Sequence, residues 1–188
     1  MKKKSLALVL ALAMIVVCVV GGTLAWLTAT TPEVKNTFTT SDIDITLAET
    51  TGTSYQMIPG YTIAKDPKVT VMANSEKCYL FVKVDKSANF DTFMTYDMAD
   101  GWTALDDVSG VYYRVVDASA TNQEFGVLKD DQVIVKDNVT KDNLNALNAD
   151  GAQPTLTFTA YAVQLNKNNT TEFTAEEAWA LAKTLPTT

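Results

Sequence analysis

The stretch 77-KCYLFVKVD-85 decides the fold. In an extended chain successive side chains point to opposite faces, so Cys78, Leu80, Val82 and Val84 line one face while Tyr79 and Phe81 occupy the other. A strand that is apolar on both faces is covered on both and lies centrally in a sheet. Within it, Cys78 reads as a small buried hydrophobe, because a reactive thiol needs an exposed electropositive setting.

Further strands lie on either side. In 41–47, Ile43, Ile45 and Leu47 alternate with Asp42, Asp44 and Thr46, the pattern of a half-buried strand. Residues 62–65 are short and extended, and 68–73 place Val69 and Val71 on one face. Between them Asp66-Pro67 interrupts the pattern. Ile58-Pro59-Gly60-Tyr61 is a turn: proline presets φ at the first central position and glycine permits positive φ at the second. Downstream, 111–117, 124–128, 132–139 and 155–165 read as strands, and 140–148 as one or two helical turns with Leu144 and Leu147 three apart.

The period changes at the end of the chain. Thr174-Ala175-Glu176-Glu177 is a capping box, and Ala178, Trp179, Leu181, Ala182 and Leu185 make an amphipathic stripe before Pro186. Roughly eight strands with turns between them, and no βαβ rhythm, predict an all-β antiparallel sandwich or barrel closed at one end by a short helix.

The first 25 residues have a different design. A basic cluster, Lys2 to Lys4, precedes an apolar run from Leu6 to Val20 and then the small residues Gly21, Gly22, Thr23 and Ala25. That order is a secretory signal peptide. As a helix the run is about 22 Å long, short of the roughly 30 Å hydrocarbon core of a bilayer. Cleavage is expected between Ala25 and Trp26, so the membrane is met only through the signal peptide before it is cut. Cys18 reads as an apolar member of the signal; the β-branched Val17 before it is unsuited to lipidation. The organisation that follows is a signal peptide at 1–25, an extended N-terminal segment at 26–40 and a β-sandwich domain at 41–188.

All 22 acidic residues follow residue 25, and three of the 15 basic ones precede it. The cleaved chain thus has 12 bases against 22 acids, a net charge of −10. Such a surface repels phosphate backbones, which disfavours nucleic acid as a partner. The chain contains no histidine, which removes the commonest general base and zinc ligand along with Ser-His-Asp and HExxH chemistry. With Cys78 the sole cysteine after cleavage, an internal disulfide is impossible. The doublets Asp106-Asp107 and Asp130-Asp131 suit calcium better than zinc but lack the spacing of a calcium loop. No catalytic, cofactor-binding or metal-binding set is assigned, and the chain is read as non-enzymatic.

Several segments together resemble the TasA and camelysin family of Gram-positive bacteria: GGTLAWLT at 21–28, TFTTSDIDITL at 37–47, PGYTIAKDPKVTV at 59–71, CYLFVKV at 78–84, and TFTAYAVQ with TAEEAWA in the tail. The resemblance implies a jelly-roll β-sandwich, export with cleavage by a dedicated signal peptidase, and a role as a fibre subunit of the extracellular matrix or cell surface. Its partner would be a further copy of itself or a sister matrix protein, the N-terminal segment of one subunit completing the sheet of the next. In this chain that segment would be 26–40, with Trp26, Leu27, Val34 and Phe38 as anchors. The same segment pairing within its own subunit uses the same hydrogen bonds. Two other readings stay open: a monomeric adhesin using the aromatics around Tyr96 and Trp102, and a metalloprotease of camelysin type, for which the absent histidines leave no imidazole zinc site.

Overall fold

The computed structural model describes residues 42–150 and 153–184. They belong to one compact unit, 40–188. The expected signal peptide, its cleavage site at Ala25 and Trp26, the anchors Leu27, Val34 and Phe38, and Leu185 and Pro186 lie outside the described residues.

The decisive stretch forms β4, Cys78–Lys86, and it is central as expected. It pairs along its length with β10 (Leu156–Gln164) on one side and with β7 (Val111–Val116) on the other. A two-residue β6 (Thr103–Ala104) completes this layer in the order β10-β4-β7-β6.

The second layer is built from two long, interrupted strands. β1 (Ile45–Ala48) pairs with β3 (Lys68–Val71), which pairs with β8 (Gln123–Gly126). Farther along, β2 (Thr62–Ala64) pairs with β9 (Gln132–Val135), which pairs with β5 (Met94–Thr95). The breaks fall opposite each other. Pro67 cannot continue a ladder as donor, and across from it Asp130 and Asp131 take left-handed backbone angles, φ 56° and 51°. The strands stay joined through the break: the Lys65 amide donates to the Asp131 carbonyl (2.8 Å) and the Val127 amide to that of Pro67 (2.9 Å). Every pairing is antiparallel, and the chain crosses between layers in a jelly-roll-like manner.

The inner face of β4 meets Val69, Val71 and Val127 from the other layer in one core cluster. Each such side chain removed from water contributes about 1.5–3 kcal/mol. Ile43 and Ile45 pack against that cluster, while Leu47, expected on the same face, is 37 % exposed. A second cluster, with Phe90, Met94, Leu128, Val133 and Val135, fills the far end of the sandwich. The outer face of β4 is covered by α3 (Ala175–Ala182), whose Trp179 packs on Phe81 and Tyr161. Its capping box is formed: the Glu177 amide donates to Thr174 Oγ1 and the Thr174 amide to Glu177 Oε2. Two smaller helices, α1 (Phe90–Phe93) and α2 (Lys141–Asp150), and a hairpin of β11 (Asn166–Asn168) and β12 (Thr171–Glu172) complete the described fold.

The turn at 58–61 is present, closed by the Tyr61 amide donating to the Ile58 carbonyl, with Gly60 at φ +76°. Cys78 is fully buried, and burial pushes its thiol up to about 11.

Candidate functional site

The two long margins of the sandwich differ. One is sealed by residues 94–104, which cross from one layer to the other. Met98 bridges to Leu128, the Ala99 amide donates to Val127, and the Lys129 amide donates to Asp97. Trp102 Nε1 donates to the Gly126 carbonyl at 2.8 Å. Arg114, the chain's only arginine, lies with its guanidinium 4.1 Å from the Phe125 ring and 5.4 Å from the Trp102 ring. The aromatics of 90–102 are therefore core: Phe90, Phe93 and Met94 are buried, and Tyr96, Met98 and Trp102 are half-buried against the interior.

The other margin is bounded by β1 in one layer and β10 in the other. Among the described residues, each has a strand partner on one side only. β10 is nine residues long and holds no charge and no proline, LTFTAYAVQ. Natural edge strands are usually shortened, bulged, charged or covered, since unpaired amides and carbonyls invite another chain. β10 has none of the first three protections.

Beside the Leu156 end of β10 the layers part around a cleft of about 940 Å³. Its apolar lining includes Ile63, Phe90, Met94, Val133 and Leu156, and Leu144 of α2 contributes to one wall. The opposite wall is the irregular strap 49–58, which carries Tyr55, Met57 and Ile58.

The strap is fastened by charge. Lys65, 9 % exposed, places its ammonium 2.8 and 3.0 Å from the two carboxylate oxygens of Glu49. The same ammonium lies 5.2 Å from the Tyr55 ring and 5.6 Å from that of Phe158, and Tyr55 donates its hydroxyl to Glu49 at 2.7 Å. Burial tends to raise the Glu49 carboxyl, but hydrogen bonds from Lys65 and Tyr55, the Lys65 charge and Thr51 outweigh it and hold the group below its usual value. Next door, Asp66 accepts from the amides of Thr50 and Thr51 and from the Thr50 hydroxyl, which together keep its carboxyl far below the usual range.

The sequence left Lys65 and Glu49 unassigned. The signal was the parity of Lys65 with Ile63 in β2, which turns both toward the interior. Of the acidic doublets, Asp106-Asp107 sits in the turn before β7 and Asp130-Asp131 in the break described above. Among the described residues, no group of three or more Cys, Asp or Glu side chains gathers where an ion would sit.

No family model matches this chain, and no curated protein or solved structure matches it.

Proposed function

We propose that the protein is an exported structural subunit of the extracellular matrix or cell surface. In this reading it assembles into fibres when a neighbour's segment 26–40 is added as a strand to the open margin of the sandwich. The observation that carries the reading is β10, a nine-residue uncharged edge strand beside an apolar cleft. Strand addition supplies main-chain hydrogen bonds along such an edge, and clefts beside it give specificity through alternate side chains. Head-to-tail donation does not close on itself, so it builds filaments.

The sequence resemblance to the TasA and camelysin family points the same way. The leader at 1–25 would deliver the chain across the membrane, and cleavage after Ala25 would free the segment beginning at Trp26. A net charge of −10 after cleavage suits solubility during export.

The test compares two purified chains by electron microscopy and by gel analysis without boiling, with N-terminal sequencing of the naturally processed product. Residues 26–188 are expected to form filaments or SDS-resistant oligomers, and a chain beginning at Ser41 to stay monomeric. Filaments of normal yield from the shorter chain would reject the mechanism.

A further inference from the structure

The cleft beside Leu156 differs in charge from the rest of the molecule. The chain carries 22 acidic residues against 15 basic ones. Among the described residues that line the cleft there is no aspartate or glutamate, and the two charged ones are both lysines, Lys65 and Lys141. The two are not equivalent. Lys65 is buried, and its ammonium is already matched by Glu49 at 2.8 and 3.0 Å, which leaves the interior of the cleft neutral. Lys141 is exposed at the rim and forms no ion pair among the described residues. It opens α2, and Leu144 and Asn145, three and four residues on, share its helix face. All three line the cleft.

Below this rim the walls are apolar and incompletely covered. Met57, Ile63, Leu144 and Leu156 pack on the second core cluster but are only half-buried, and Ile58 on the strap is 47 % exposed. At about 940 Å³ the cleft lies toward the upper end of the roughly 300–1,000 Å³ typical of small-molecule sites.

We infer that the cleft binds a single-chain amphiphile with an anionic head, a free long-chain carboxylate. The alkyl tail lies against Met57, Ile63 and Leu156, removing their remaining surface from water. The carboxylate stays at the rim beside Lys141, with the Asn145 side-chain amide as a further donor. An uncharged tail suits the interior, where an additional unmatched charge would be costly to bury. A cationic head would meet Lys141 as a like charge. The inference does not rest on strand donation.

Methionine methyl NMR tests this on the chain 26–188, isotope-labelled at those methyls and titrated with sodium dodecanoate below its micelle concentration. Met57 and Met94 line the cleft; Met72, bonded to Asp44, and Met98, bridged to Leu128 on the sealed margin, do not. The expected result is saturable movement of the Met57 and Met94 signals while those of Met72 and Met98 stay still. Dodecyltrimethylammonium, with the same tail and a cationic head, should bind roughly fivefold more weakly or worse. Lys141→Glu, an exposed change in the first turn of a helix where acidic side chains are favoured, should weaken dodecanoate by roughly the same factor. Unmoved Met57 and Met94 signals overturn the inference, as does unsaturable movement of all four. Equal affinity for the two amphiphiles, or unchanged dodecanoate binding by Lys141→Glu, overturns it too. A response from a chain beginning at Ser41 but none from 26–188 also overturns it, because the N-terminal segment then fills the cleft. Filament yield is read separately and bears only on strand donation.

Discussion

The ammonium of Lys65 bridges both carboxylate oxygens of Glu49 at 2.8 and 3.0 Å, pinning the strap 49–58 to the break between β2 and β3. The pair is largely shielded from water, with side-chain exposures of 11 % and 20 %. Removing one partner strands the other in poorly solvated surroundings. Lys65→Met is therefore expected to lower stability by about 1–3 kcal/mol, read from urea unfolding at neutral pH.

The same pair sets a pH response. The Glu49 carboxyl is held below its ordinary 4.5, so its share of stability is complete above that value and fades as pH falls through the lower folded value. Urea midpoints measured from pH 6 down to pH 3 should drop for the native chain. Lys65→Met should flatten the part of that drop that belongs to Glu49. Parallel curves for the two proteins would show that the ion pair does not govern the acid response.

Thr157 is exposed at the cleft end of β10. A lysine there supplies the charge that natural edge strands use to repel additional strands. Thr157→Lys is expected to leave thermal unfolding of the domain within about 0.5 kcal/mol of the native value while sharply reducing filament yield. Undiminished filaments would mean that this edge is not the surface used.

Trp102 holds the sealed margin through its bond to Gly126 and its stacking beside Arg114. Trp102→Ala should cost about 2–4 kcal/mol in urea unfolding, a loss of packing together with an orphaned carbonyl. If that tryptophan served mainly as an exposed contact for a ligand, its removal would leave stability nearly unchanged.

Gly110 has φ +76°, and a Cβ added there would come within 2.7 Å of the Val84 carbonyl oxygen. That carbonyl belongs to the central strand and has no freedom to retreat. Gly110→Ala is expected to destabilise by about 2–4 kcal/mol by calorimetry, with far-UV circular dichroism at low temperature unchanged.

Much of this architecture was legible before any coordinates. β4 announced itself through apolar residues on both faces, and the alternation in 68–73 and 155–165 fixed which side chains of β3 and β10 face inward. The capping box at Thr174 located α3 because its hydrogen bonds are local. β5, β6, β11 and β12 were not legible: with two or three residues each, they owe their pairing to neighbours distant in sequence. The aromatics of 90–102 were ambiguous for a related reason, since composition cannot tell a core from a binding floor until Trp102 is seen bonded to Gly126. The cleft was hidden because Ile63, Met94, Val133 and Leu156 come from four separate segments. The segment 26–40 was read from sequence, and its anchors lie outside the described residues.

The unequal margins have a kinetic corollary. Trp102 and Arg114 lock one flank, so if subunits join by strand addition each would offer a single socket and the polymer would not branch. Its two tips would be chemically distinct, one displaying a vacant groove and the other an unspent tail. A soluble peptide copying residues 26–40 would then occupy the vacant tip and the sockets of free subunits alike, halting growth at both tips.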